Sequence, residues 1–389
     1  MTNGDRRRAS PRSCLRLLPP KAHNRLIALL AVLSVMISGC SPLYVIRAAY
    51  EEGKILWRRE PIVAYLQNPR LEVETKEKLE LVLAAREYAD AVLKLNVGGS
   101  YASYSYVDRS VLSYILMAAP QTELRPYSWW FLFVGSVPYK GFFTKEDANA
   151  AAQALEERGY DTSIRPSAAF STLGWFDDPL LAHLLKYDKG TLIEVIFHEL
   201  FHNTLYVKGA GSFNESVANF VGNRAAIDFF RHRFGDGSEE YKAAVQAWED
   251  DLEFSEFIER LADSLNELFA KDISDDDKLR LRQEVFARGK EEWAQRIADR
   301  PRHRFRNFSR QPLNNAVMIH YLLYLKNLKL FESVYESEGR NLVGAIQSIR
   351  MAVKRRGDPF ESVQTLLAQR RAPDDGPPEP AGRSPDLMP

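Results

Sequence analysis

The stretch from Thr191 to Tyr206 constrains the fold more than any other part of the chain: Thr-Leu-Ile-Glu-Val-Ile-Phe-His-Glu-Leu-Phe-His-Asn-Thr-Leu-Tyr. Thr191 and Glu194, three apart after Gly190, form a capping-box pattern and predict a helix start just before the apolar run. Ile193, Val195, Ile196, Phe197, Leu200 and Phe201 make that helix apolar on most sides, so other elements must cover it. His198, Glu199 and His202 are then buried with it. The two histidines stand four apart on one face, where both imidazoles reach a single point, and Glu199 lies about 100° round the helix from His198. Such polar groups are costly to bury unless something satisfies them, and a divalent cation does so. With seven histidines and 52 acids in 389 residues, His-(Asp/Glu)-x-x-His is expected about 0.02 times by chance. Coincidence is therefore a poor explanation, and the ordinary alternative is a pair of core histidines hydrogen-bonded to neighbours.

Only two cysteines occur, Cys14 and Cys40, so the body of the chain has no thiolate cluster and any metal there is held by His, Asp or Glu. A catalytic zinc usually takes three protein ligands and leaves a position open. The third candidate is Glu215, in Phe213-Asn-Glu-Ser216, which opens a second helical run through Val217, Phe220 and Val221. Gly209 and Gly211 supply a turn between the two helices.

His198-Glu199-x-x-His202 followed by Asn214-Glu215 resembles the gluzincin group of metallopeptidases, in which a glutamate on the next helix is the third zinc ligand. The segments Val134–Phe143, Phe170–Pro179, the His-Glu-Leu-Phe-His helix and Phe213–Ser216 are more closely similar, in that order, to a bacterial family of predicted aminopeptidases, over about residues 42 to 365. The resemblance implies a zincin-like α+β fold, mostly helical, with a small antiparallel or mixed sheet. It also implies one zinc ion per chain on His198, His202 and Glu215, with Glu199 as general base in hydrolysis of a peptide substrate. Two departures stand out. The linker before Glu215 is shorter than in thermolysin-like enzymes, and Asn219 occupies a position where those enzymes often carry an acid. Asn219 is a candidate to orient a histidine ring, with Asp228 a more distant substitute.

Softer expectations concern the substrate. Tyr139, Tyr321 and Tyr324 are candidates to stabilise the oxyanion, although among 17 tyrosines a packing role is the ordinary expectation for each. Asp177 and Asp178 are candidates for a substrate amine, against a turn or cap role. A strand at Trp129–Gly135 is a candidate to pair with an extended peptide. His183, His232, His303 and His320 lack ligand spacing and are expected at the surface or in packing. Two competing functions remain: an endopeptidase of envelope proteins, and a non-catalytic zinc-binding lipoprotein.

The first forty residues read as an address. Seven cations and one acid up to Arg25 precede the apolar run Leu26–Ile37. Twelve helical residues reach only about 18 Å, short of a hydrocarbon core of about 30 Å. Ile37-Ser-Gly-Cys40 resembles the lipobox of bacterial lipoprotein signal peptides, which implies residues 1–39 as the signal, lipidation of Cys40 and membrane attachment through it. Ser41 resembles the pattern sorted to the outer membrane, facing the periplasm.

Residues 40–371 are expected to form one domain. Its features are helices from Tyr44 to about Leu95, a helix after Thr144 that stops at Gly159, and a strand near Thr162–Phe170. A charged helical hairpin at 236–299, broken at Asp275-Asp276-Asp277, is expected to project from the core, followed by an apolar helical region from Asn314 to about Leu342. The proline-rich tail 372–389 is expected to be disordered. Lys plus Arg equals Asp plus Glu at 52 each, which argues against a dedicated nucleic-acid binder.

Overall fold

A computed structural model describes residues 53–106, 111–131, 135–167, 177–355 and 357–371. The signal segment 1–39, Cys40, the start of the first helical region up to residue 52, residues 132–134, most of the Phe170–Pro179 segment and the tail 372–389 lie outside them.

The fold is α+β and mostly helical. Among the described residues, eight short strands are β1 (Glu60–Pro61), β2 (Ser103–Ser105), β3 (Tyr114–Pro120), β4 (Trp129–Phe131), β5 (Gly135–Val137), β6 (Lys140–Phe142), β7 (Tyr160–Pro166) and β8 (Leu180–Leu181). The helices are α1 (Val73–Ala91), α2 (Lys145–Glu156), α3 (Lys189–His202), α4 (Gly211–Phe234), α5 (Glu239–Phe269), α6 (Asp275–Arg296), α7 (Asn315–Leu325), α8 (Leu328–Ser337), α9 (Leu342–Ala352) and α10 (Pro359–Arg371). No helix among the described residues is long and apolar enough to cross a membrane.

The main sheet is antiparallel in the order β6-β3-β7, with Leu116 opposite Lys140 on one side and Ile164 on the other. Its middle strand is buried on both faces. Leu116 and Ala118 pack under α2 with Ala148, Ala152 and Leu155, while Met117 and Ala119 pack on Ile319 and Leu323 of α7. With two buried faces, β3 shows no apolar alternation, and its Leu-Met-Ala-Ala run is poor in β-branched residues, so its sequence does not announce a strand. A second sheet, β1-β2-β8, pairs β2 with β8 in parallel, and β4-β5 is a separate ladder.

Trp129–Gly135 is not one strand. Phe131 pairs with Gly135, so the chain reverses there, with Gly135 at a φ of 79° that suits glycine. Thr144 caps α2 by accepting from the Asp147 N–H at 3.2 Å, and Gly159 follows at a φ of 79°.

The capping of α3 also differs from expectation. Asp188, not Thr191, is its cap: Asp188 Oδ1 accepts from the Thr191 N–H at 2.9 Å and Oδ2 from the Thr191 hydroxyl at 2.8 Å. The helix therefore starts at Lys189, and Glu194 is free to pair elsewhere. The break between α5 and α6 falls at residues 270–274. The three aspartates form the first turn of α6 under the Ser274 cap, where the helix dipole favours them.

The pair α5 and α6 belongs to the main core and does not project from it. Trp248, Phe254, Phe257 and Trp293 are buried, and Phe254 stacks on Phe305 with ring centroids 3.9 Å apart. These helices bury enough aromatic surface to require a partner, and α4 and α7 supply it. The expected apolar helical region from Asn314 to about Leu342 holds two helices, α7 and α8, with α9 beginning at Leu342. Asn327, at a left-handed φ of 58°, breaks the first from the second.

Candidate metal centre

Helices α3 and α4 run side by side at the centre of the core, and α4 is buried along almost its whole length. Close approach is possible because Gly222 of α4 has no side chain facing α3: a β-carbon there would lie 2.9 Å from the Glu194 carbonyl oxygen. The loop joining the helices is clamped by Asn214, whose Oδ1 accepts from the Val207 N–H and whose Nδ2 donates to the Val207 carbonyl, both at 2.8 Å. That clamp sets where the next residue, Glu215, enters the helix.

The result brings three side chains to one point. His198 Nε2 lies 3.3 Å from Glu215 Oε2 and 3.1 Å from His202 Nε2, and His202 Nε2 lies 3.7 Å from the same carboxylate oxygen. The two imidazole rings stand nearly perpendicular, at 82°. Zinc–ligand bonds of 2.0 to 2.1 Å at tetrahedral angles put ligand atoms about 3.3 Å apart, and these three separations bracket that value. Two imidazole nitrogens and a carboxylate oxygen so arranged could hold a metal ion.

Electrostatics agree with a site built for a cation. Burial pushes the Glu215 carboxyl up, but His202 and His198 beside it hold it well below the usual carboxylate range. For His202, burial disfavours the charged ring, and the Glu215 carboxylate outweighs it, so its ionisation is shifted upward. His202 Nδ1 is buried and has no hydrogen-bond partner among the described residues.

Glu199 is half-buried on the same helix. Of the three tyrosine candidates, Tyr324 comes to the site: its ring centroid lies 6.3 Å from that of His198. Its phenol is shifted well above the usual tyrosine range by burial and by Glu215, Tyr139 and Glu199. Tyr139 packs in the same cluster as Tyr324. Tyr321 is engaged elsewhere, its hydroxyl accepting from Gln311 Nε2 at 2.5 Å under the Arg165 guanidinium.

Asp177 accepts from the Gly99 N–H at 2.7 Å, 78 positions away, so this contact ties two distant segments together and is not a local turn or cap. Asp178 is buried and, with Glu199, raises the buried Tyr101 phenol, burial being the larger cause. Tyr101 itself sits at a φ of 58°, unusual for a non-glycine residue.

Asn219 makes its bonds away from the imidazoles. Its Nδ2 donates to the Tyr324 carbonyl at 3.3 Å and to Asp251 Oδ2 at 3.4 Å, and its Oδ1 accepts from Asn223 at 3.2 Å. The acid near Asn219 is thus Asp251 from α5, while Asp228 pairs with Arg231 at 3.3 Å. Asp251 Oδ1 in turn accepts from Arg304, which also donates to Glu194 at 2.9 Å.

This network joins α3, α4 and α5 behind the site. Its signal in the sequence is Asn219 and Asn223, two polar residues one turn apart within the apolar stretch Val217–Ile227 of α4, which demand buried partners. His320 is a second residue that motif spacing did not single out. It packs on Tyr324 at 5.5 Å, and burial and the nearby Arg165 push its pKa down to about 3, which keeps the ring neutral.

No curated protein and no solved structure matches the chain. A family model described as "Putative aminopeptidase" matches residues 43–356, a span that contains all three donors, Glu199 and the helices that carry them. Over the greater part of its length, therefore, the chain belongs to this aminopeptidase family.

Proposed function

We propose that the protein is a zinc-dependent peptidase that removes residues from the amino terminus of peptides, with Glu199 as general base. The observation that carries this reading is the convergence of His198 Nε2, His202 Nε2 and Glu215 Oε2 within 3.7 Å of one another, one residue from a carboxylate that is not among the donors. Family membership supports peptide hydrolysis as the reaction.

A zinc ion held by these atoms, one per chain, supplies Lewis-acid polarisation and a lowered water pKa. The chain's own groups do the rest. Glu199 takes the proton released as water adds to the scissile carbonyl and returns it to the departing amine nitrogen. Tyr324, kept protonated by its burial and its acidic neighbours, donates a hydrogen bond to the carbonyl oxygen as negative charge develops there. Asn219 and Asp251 hold the backbone that presents Tyr324.

Residues 37–41 support attachment of the mature chain to a bacterial envelope membrane through Cys40, facing the periplasm. Glu199 is present, whereas a purely structural site needs no base, so the non-catalytic reading is the weaker one.

The test is Glu199→Gln. The variant should keep its metal by elemental analysis and lose hydrolysis by at least about a hundredfold. Loss of metal, or retained activity, would overturn the role of Glu199. Peptides with free and blocked amino termini separate an aminopeptidase from an endopeptidase.

A further inference from the structure

The described chain begins with a helical turn at residues 53–57 and passes directly into β1. Trp57, at the end of that turn, is 91% exposed. Fully burying a large apolar side chain contributes about 1.5–3 kcal/mol, so a tryptophan left in water adds almost nothing to this fold. The small cluster that includes its neighbour Ile55 is completed by Leu112 and Leu181 and does not contain it.

A second exposed ring follows the strand to which this turn is tied. Glu60 pairs with Tyr104 and Pro61 with Ser103, and Arg58 before β1 and Tyr106 after β2 each lie two residues outward from the Glu60–Tyr104 pair. Tyr106 is 59% exposed. Ser105 Oγ donates to the Ile55 carbonyl at 2.9 Å, which fixes the turn bearing Trp57 to the strand that leads to Tyr106. Arg58 and Arg59 are exposed and make no ion pair among the described residues. Among the described residues, Glu60 is the acid next to them in sequence. Past β1, Val63 is 61% exposed.

Exposed tryptophan, tyrosine and arginine side chains are the ones that settle at a lipid–water interface: the rings sit at headgroup depth and the guanidinium groups meet anionic headgroups. Position favours the same partner. Gly53 lies thirteen residues after Cys40, a span of at most about 45 Å fully extended. Whatever holds the start of the chain to a bilayer keeps this patch within reach of that bilayer.

We propose that Trp57, Tyr106, Arg58 and Arg59 form a docking patch that lays this face of the domain on an anionic membrane surface. The patch orients the domain and is separate from the peptidase reading, since none of these residues belongs to the metal centre.

The test uses the full chain reconstituted into vesicles of phosphatidylethanolamine and phosphatidylglycerol, with and without bromine on the acyl chains. The emission difference between wild type and Trp57→Phe isolates the one indole. Bromine should quench that difference about twofold or more, and Arg58→Glu with Arg59→Glu should abolish the quenching. Equal emission with and without bromine would overturn the proposal, showing that the ring faces water or is covered by protein. Quenching unchanged in the double variant would also overturn it. Peptide hydrolysis in detergent is expected to be the same in all variants, so an inactive wild type would count against the peptidase reading alone.

Discussion

Gly222 lies against His198: a β-carbon added to the glycine would stand 3.2 Å from the histidine Cβ and the same distance from its backbone nitrogen. The spacing of α3 and α4, and with it the distance from Glu215 to the two imidazoles, rests on that missing methyl group. Gly222→Ala is expected to destabilise the fold by about 1–3 kcal/mol through overpacking, and to weaken metal binding by moving Glu215 away. Thermal unfolding and a zinc titration check both. An alanine variant with unchanged metal affinity would show that the helices can part without disturbing the donors.

Metal should stabilise the native chain by mass action. At free zinc a hundred times its dissociation constant the gain is about 2.7 kcal/mol, read as a rise in Tm that a chelator reverses. Glu215→Gln removes the anionic donor and should cancel most of that rise. If the variant responds to zinc as the wild type does, the third donor lies elsewhere.

Tyr324→Phe should leave metal content and fold intact while lowering kcat by about one to three orders of magnitude, because the phenol acts on charge that exists only during the reaction. Tyr321→Phe, which loses a bond to Gln311, is expected to affect stability more than turnover. Steady-state kinetics on both variants, with metal analysis, distinguishes the two roles.

Asp251 gives a pH signature. Burial raises its pKa to about 7 and Glu194 adds to the shift, against the pull of Arg304. Between the unfolded value of 3.8 and that raised value, the unfolded chain is ionised while the folded chain keeps the proton. The contribution is therefore fully present at acid pH and is lost as pH rises through this window, by up to about 1.4 kcal/mol per pH unit. Asp251→Asn cannot titrate, so the wild-type advantage over it should shrink from pH 4 to pH 7. Denaturant unfolding across that range measures it, and a constant difference would refute the assignment.

The convergence of His198, His202 and Glu215 was legible in the sequence because each rule that brought them together is local. Four-residue spacing on a helix aligns His198 with His202, and a short glycine-containing loop returns the chain to Glu215. The supporting shell was not legible. Asp251 and Arg304 reach Asn219, Asn223 and Glu194 from about 30 to 110 positions away, and no periodicity reports such pairings. The strand β3 escaped for a related reason: burial on both faces removes the alternation by which strands are recognised. Reading Trp129–Gly135 as one strand failed because the apolar run conceals a reversal that only the Phe131–Gly135 pairing reveals.

The donors His198 and Glu215 are only 17 positions apart and are joined through the loop that Asn214 clamps. Contacts this close in sequence close small loops and form fast, whereas α7, which carries Tyr324, arrives a hundred residues later. Helices α3 and α4 can therefore bring the three side chains together as soon as they pair, before the chain that carries Tyr324 has docked.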